Sequence, residues 1–183
     1  MKFLFDYTLG IFLILIVFPI LLIIFVIATI DTCSCGIFMQ KRIGQNSKKF
    51  IIFKIKTIGS RGHRTSSFGK FLRRYKFDEL PQLFNILLGH MSFVGPRPDV
   101  AGYYNSLQGE QRLILKLKPG LTSEASLKYF DEEFLLQQQE NPKEYNDTVI
   151  FPDKVKLNLN YYYNHSLLGD IKIIYKTLLR YIK

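Results

Sequence analysis

The chain has 183 residues, enough for one domain with a core of its own. Its 25 Lys and Arg outnumber 15 Asp and Glu, and a net charge of +10 points to a polyanionic partner: nucleic acid, anionic lipid or a phosphorylated ligand. Two cysteines, Cys33 and Cys35, are too few for a disulfide framework, and a lone Cys-x-Cys lacks the second ligand pair of a zinc site.

Residues 8–30 run for 23 positions without a charge, and about 20 apolar residues suffice to cross a hydrocarbon core. A signal peptide fits less well, because the run is too long and only Lys2 is basic before it. Pro19 falls near the middle and removes a helix hydrogen bond, so the helix either spans with a kink or turns back. Taken alone, the segment reads as spanning. Lys41, Arg42, Lys48 and Lys49 follow it, which places the downstream residues on the cytoplasmic side. No Trp is present, but 16 Phe and 11 Tyr are, many beside Lys or Arg, a mixture that suits a membrane interface.

Residues 50–58 alternate as a strand does, and residues 44–47 read as a hairpin turn before it. Lys54 and Lys56, two apart, share one face of that strand. They either line a solvated edge or deliver ammonium groups to phosphates. Residues 59–67 form a Gly-, Ser- and Arg-rich connector, with His63 exposed on it and without a catalytic part. Residues 68–75 make a basic amphipathic helix, with Phe68, Phe71, Leu72 and Tyr75 opposed by Lys70, Arg73 and Arg74. Such a helix lies in a headgroup region or packs on a core with a solvated basic face.

Residues 77–99 organise the rest. They open on two adjacent carboxylates, Asp78 and Glu79, and close on Arg97 held between Pro96 and Pro98. An acid pair and a fixed guanidinium are what a site needs to hold a metal and a phosphorylated substrate. Asp78 also reads as an N-cap, with Pro81 in the first turn, but capping leaves Glu79 and the Pro-Arg-Pro segment unexplained. Further on, residues 111–118 form a short basic helix and residues 119–123 a turn. Asp131, Glu132 and Glu133 are a solvated acidic cluster on a Gln-rich helix, and Pro142 and Pro152 punctuate the loop after it. A last helix opens at Asp170. Its Ile171, Ile174, Tyr175, Leu178, Leu179 and Ile182 form one face and Lys172, Lys176, Arg180 and Lys183 another, as in a basic interfacial helix or an ordinary terminal one.

Asp-Glu-Leu-Pro-Gln-Leu-Phe-Asn at 78–85, Gly-His-Met-Ser-Phe-Val-Gly-Pro-Arg-Pro at 89–98 and Lys-Pro-Gly-Leu-Thr at 118–122 resemble the bacterial sugar transferase family, the monotopic phosphoglycosyl transferases. Lys2 with Asp6, residues 40–44, residues 53–57 and residues 166–173 extend the resemblance over nearly the whole chain. It implies an α+β, mainly helical fold: a re-entrant membrane helix-break-helix in residues 1–32 that turns back at Pro19, then a catalytic domain in residues 33–183 with amphipathic interfacial helices and a small β-hairpin or sheet. The length resembles that of minimal family members. The implied location is the bacterial cytoplasmic membrane, with the catalytic domain on the cytoplasmic face.

The implied reaction moves a sugar 1-phosphate from a UDP-sugar to undecaprenyl phosphate, releasing UMP, as the first membrane step of capsule, O-antigen, exopolysaccharide or glycoprotein glycan synthesis. Asp78 would be the nucleophile, Glu79 the Mg²⁺ ligand and Arg97 a phosphate-binding group, with Lys54 or Lys56 adding charge near the nucleotide. The resemblance leaves the oligomeric state open, a homodimer included. The chain departs from the usual family pattern at Phe18 before Pro19 instead of Ser, at Leu121 and Ser123 where Pro-Gly-Ile-Thr-Gly is common, and at Asn158 where Asp is common. Asp170 matches a family position and fits a cap on the last helix. Rival readings are a non-enzymatic membrane component of a glycan assembly complex, a phosphatase using the aspartate, and a nucleic-acid binder. The last is disfavoured because the basic residues are spread over several helices and not gathered on a nucleic-acid motif.

Overall fold

The computed structural model describes residues 1–59 and 65–182, so the connector around His63 and the terminal Lys183 lie outside the described residues. The chain divides into two compact units, residues 1–42 with 49–91 and residues 43–48 with 92–183. It is α+β and mainly helical, as expected.

The first unit is built on α1 (Lys2–Thr32), a single helix with Pro19 inside it. Helical turns run on both sides of Pro19. Proline removes one hydrogen bond, and the long apolar turns on either side keep the helical path. Among the described residues α1 is the one helix long and apolar enough to cross a membrane. Its buried positions are Asp6 and Gly10 toward the N-terminal end and Leu21, Ile24, Ala28 and Thr32 toward the C-terminal end. Residues 11–20, Pro19 included, contain no buried position. The helix ends at Cys33, left-handed at φ 49°, whose N–H reaches the Ile30 carbonyl. Gly36 then passes so close that a Cβ would stand 2.6 Å from the Phe25 carbonyl oxygen.

The expected hairpin follows as β1 (Ile37–Ile43) and β2 (Lys49–Ile55), paired as a two-stranded sheet and joined through a 3₁₀ turn at Gln45–Ser47. Helix α2 (Ser67–Arg74) starts one residue before the predicted helix because Ser66 caps it, accepting the Gly69 N–H at 2.9 Å. Of its apolar stripe, Leu72 is fully buried and Phe68 packs inward, while Phe71 and Tyr75 are exposed. Those two rings pack with exposed Phe77, at centroid separations of 5.0–6.1 Å. Leu21, Ile24, Ala28, Ile55 and Leu72 form the core of this unit. Truncating Leu72 to Ala would cost about 2–5 kcal/mol through lost burial and a residual cavity. A 3₁₀ turn at Phe77–Glu79 leads into α3 (Gln82–Leu87).

In the second unit β3 (Ser92–Val94) pairs in parallel with β4 (Gly120–Thr122), Ser92 opposite Gly120 and Val94 opposite Thr122. The turn predicted at 119–123 is thus a strand. A three-residue strand carries too little alternation to read from sequence. The predicted basic helix at 111–118 is a 3₁₀ segment, Gly109–Lys116. Short helices α4 (Glu124–Lys128), α5 (Glu132–Gln137) and α6 (Pro142–Tyr145) follow, then a π-turn at Asn146–Ile150 that runs into α7 (Phe151–Asn164). Pro152 does not punctuate a loop. It sits in the first turn of α7, where its missing N–H costs little, and the preceding π-turn accommodates its ring.

The last helix, α8 (Leu167–Ile182), starts earlier than Asp170, since Ser166 Oγ accepts the Gly169 N–H at 3.1 Å. Its packed face carries Asp170 and Ile173, and the predicted stripe of Ile171, Tyr175, Leu178 and Leu179 is exposed. Ile43, Tyr104, Leu107, Ile114, Leu115 and Val155 form the core of the second unit.

Candidate active site

The acid pair sits where the chain makes an abrupt change of direction. After α2, Lys76 adopts a left-handed conformation at φ 57°, unusual for a side chain with a Cβ, and the 3₁₀ turn Phe77–Glu79 begins. The turn closes through Glu79 N–H to the Lys76 carbonyl at 3.1 Å and Leu80 N–H to the Phe77 carbonyl at 3.3 Å. Pro81 then starts α3, and neither carboxylate caps it, which corrects the N-cap reading of Asp78. Both acids end up buried, Asp78 at 8 % and Glu79 at 7 % exposure.

Their environments differ. Glu79 Oε1 accepts a charge-assisted hydrogen bond from Lys54 Nζ at 3.1 Å. Asp78 Oδ1 is buried with no hydrogen-bond partner among the described residues. Burial pushes the Asp78 carboxyl above its ordinary value, and the neighbouring Glu79 charge adds to the rise; Lys54, Lys76 and Arg73 oppose it. A buried carboxylate oxygen with no donor is costly and is rarely retained without a role.

Asn85, fully buried on α3, holds this turn against the hairpin. Its Oδ1 accepts the Phe53 N–H at 3.1 Å and its Nδ2 donates to the Ile51 carbonyl at 2.7 Å, so one side chain ties α3 to β2. That fixes the strand that carries Lys54 relative to the turn that carries Glu79. Asn85 ends the 78–85 motif, and an amide inside the apolar run 80–88 signals a buried group that needs partners.

The structure therefore brings Lys54, Asp78 and Glu79 together. Lys56 is engaged elsewhere, donating to Ser34 Oγ at 2.7 Å just past the end of α1. Pro19 is exposed on the bare middle of α1. Arg97 belongs to the second unit, where it stands exposed on the loop after β3.

That loop is anchored by two glycines of separate motifs. Gly95 N–H bonds to the Thr122 carbonyl at 3.0 Å, and Gly120 N–H to the Pro96 carbonyl at 2.8 Å. A Cβ on Gly95 would collide with the Lys118 carbonyl, and one on Gly120 with the backbone of Gly95. Only glycine permits this approach, which sets Pro96-Arg97-Pro98 beside β4. Asp170 is buried on α8 and accepts a hydrogen bond from the Tyr161 phenol at 2.6 Å; the same phenol lies 3.2 Å from the Val94 carbonyl, three residues before Arg97. Asp170 thus supports β3 and is not a cap. Asn158 donates to the Tyr104 hydroxyl at 2.8 Å in the core, a neutral pair whose burial holds the Tyr104 phenol well above its usual range.

No group of three or more His, Cys, Asp or Glu side chains that could hold a metal occurs among the described residues. The donor set at the acid pair is two adjacent carboxylates, one with an unpartnered buried oxygen. It fits Mg²⁺, which binds through one or two carboxylates and fills its shell with water and substrate phosphates.

The family described as bacterial sugar transferase matches residues 1–183. A UDP-glucose:undecaprenyl-phosphate glucose-1-phosphate transferase of Klebsiella pneumoniae is 33% identical over 96% of this chain. A UDP-N-acetylgalactosamine-undecaprenyl-phosphate N-acetylgalactosaminephosphotransferase of Aeromonas hydrophila is 27% identical over 87% of it. The chain spans only 38% of each of those relatives, so their whole activities do not transfer with the match. It covers 85% of an uncharacterized sugar transferase, EpsL, of Bacillus subtilis, at 29% identity over 97% of this chain.

Proposed function

Because the chain belongs to the bacterial sugar transferase family, we propose that it moves a sugar 1-phosphate from a UDP-sugar to undecaprenyl phosphate, releasing UMP. The observation that carries this reading is the buried, unpartnered Oδ1 of Asp78 beside the Glu79–Lys54 pair. A desolvated carboxylate oxygen with no donor to quench it is a competent nucleophile. Asp78 attacks the sugar-bearing phosphorus, the bond from that phosphorus to UMP breaks, and a phosphosugar-aspartate remains. A phosphate oxygen of undecaprenyl phosphate then attacks the same phosphorus. The bond to Asp78 breaks, the carboxylate is restored and a polyprenyl diphosphate sugar is released.

Glu79, with Asp78, would hold Mg²⁺, which offsets the repulsion between an acid pair and a diphosphate and stabilises the leaving phosphate. Lys54 pairs with Glu79 and adds positive charge at the nucleotide end. Arg97 clamps a phosphate through its planar fork, with Pro96 and Pro98 limiting its excursions. The product is a lipid-linked sugar that begins a surface polysaccharide or glycan.

The same reading places α1 in the cytoplasmic membrane with both of its ends on the cytoplasmic face. Support comes from its burial pattern: Gly10 lies against Leu87 of α3, and Leu21, Ile24 and Ala28 lie against Ile55 and Leu72, so both ends dock on one unit while the apolar middle stays bare. The exposed Phe71–Tyr75–Phe77 cluster with Arg74, and the exposed apolar stripe of α8, suit the headgroup region.

The test is UMP release from a panel of UDP-sugars, with and without undecaprenyl phosphate and Mg²⁺. Lipid- and metal-dependent UMP from one sugar is the expected result. Free sugar phosphate without any lipid requirement would overturn the transfer, and no UMP from any donor would overturn the UDP-sugar reading.

A further inference from the structure

The second unit contains a cavity of about 310 Å³ that shares no residue with the acid pair. One wall is the tip of the β1–β2 hairpin, Asn46 and Ser47, both left-handed at φ 54° and 62°. The other is the 3₁₀ segment Gly109–Lys116, which contributes Gly109, Arg112 and Lys116, with the buried Leu115 also lining the cavity. The two walls are tied: Gln45 Nε2 donates to the Lys116 carbonyl at 2.8 Å, and the tip is closed by Gly44 N–H to the Lys48 carbonyl at 2.8 Å.

The polar groups of this cavity are unengaged. Arg112, Lys116, Asn46 and Ser47 have no side-chain hydrogen bond or ion pair among the described residues. Other cations in the same unit are ion-paired, Lys128 with Asp153, Lys154 with Glu132 and Arg180 with Asp131, at 2.7–3.0 Å. No carboxylate lines the cavity, and the nearest in sequence, Glu110, accepts a hydrogen bond from the Tyr163 hydroxyl at 2.8 Å. A guanidinium, an ammonium, an amide and a hydroxyl converging without an acid form a donor set for a phosphate group. A volume near 300 Å³ is at the lower end of small-ligand sites.

We infer that this cavity is a second anion site that takes a phosphate group, separate in its residues from the phosphoryl-transfer chemistry. The phosphate is either that of a soluble phosphate ester or that of an anionic lipid headgroup. Arg112 engages two phosphate oxygens through its fork, Lys116 supplies a second charge, and Asn46 and Ser47 complete the contacts.

The experiment uses the full chain in neutral detergent micelles or bound to vesicles. The reactivity of each lysine toward an amine-acetylating reagent is read by mass spectrometry. Two probes are compared: inorganic phosphate in micelles, and phosphatidylcholine vesicles with and without phosphatidylglycerol. Protection of Lys116 by inorganic phosphate, with Lys143 unaffected, supports the site and names a soluble source. Protection of Lys116 only on vesicles that contain phosphatidylglycerol supports it and names the headgroup. Direct binding of the protecting probe should weaken about a hundredfold in Arg112→Gln/Lys116→Gln, roughly tenfold for each charge-assisted contact. The charge-matched control Lys143→Gln/Lys156→Gln should leave it unchanged. Equal loss in the control, or no protection of Lys116 by either probe, overturns the site. Neither readout depends on turnover, and Asp78→Asn should retain the protection, so failure here and failure of the transferase reading are told apart.

Discussion

The sequence Asp-Glu occurs in both units, at Asp78-Glu79 in the first and Asp131-Glu132 in the second, and the two pairs have opposite fates. Asp131 is exposed and pairs with Arg180 at 3.0 Å; Glu132 pairs with Lys154 at 2.7 Å. The cluster lies at the surface, as expected, and both of these acids are ion-paired there. Asp78 is buried, one of its oxygens has no partner among the described residues, and its carboxyl is held above the usual range by burial and then by Glu79. Chemically identical dipeptides meet cations at a surface in one case and are removed from water by a turn in the other, where Lys54 pairs with Glu79.

Neutralising each pair in turn is the sharpest way to break this contrast. Asp78→Asn should lower UMP release by at least ~10³-fold, as loss of a nucleophile does, while thermal unfolding shows a folded protein. Substantial turnover in that variant would remove Asp78 from the nucleophile's role. Chelation by EDTA should stop the reaction, with recovery on adding Mg²⁺; an undiminished rate would count against Glu79 as a ligand.

The support beneath the first pair gives the next effect. Asn85→Ala strands the Phe53 N–H and the Ile51 carbonyl, a destabilisation of about 2–4 kcal/mol in chemical unfolding. It should also reduce turnover in whatever fraction stays folded, because β2 carries Lys54.

Protonation separates the pairs more finely. Since the folded Asp78 carboxyl is raised, the folded chain binds that proton more readily than the unfolded chain. The stability this confers is complete below the ordinary carboxylate value of 3.8 and is lost as pH rises through the raised value. Asp78→Asn should therefore be the more stable form at neutral pH, with the difference in melting temperature closing as the pH falls through that window. Turnover in the parent protein should fall as the pH drops through the raised value, because the nucleophile acts as the carboxylate. A melting difference that is flat with pH would show that Asp78 is not raised. The smallest effect belongs to Asp131→Asn: an exposed ion pair contributes up to ~0.5 kcal/mol, and activity should stay within about twofold.

Much of this was legible in residue order, and the misses share a cause. The long apolar run, the hairpin with its turn at residues 44–47, and the capped basic helix after Ser66 all follow from local pattern and local hydrogen bonds. Strands β3 and β4 were missed because each is three residues long and exists only through its partner. Asp170 was read as a cap because an acid at a helix start usually is one; Ser166 has that place, and Asp170 is turned inward to Tyr161.

By itself the sequence determined the class of chemistry available: an acid pair, a proline-clamped arginine, a membrane-length apolar run and an excess of positive charge. Those depend on covalent identity and short-range order. Tertiary structure alone decided which acid is unpartnered, that Lys54 and not Lys56 serves the pair, that Gly95 and Gly120 meet backbone to backbone, and that Arg112 and Lys116 open on one cavity. Each is a matter of solvent exclusion or of contacts between distant segments, and packing, not local pattern, sets both.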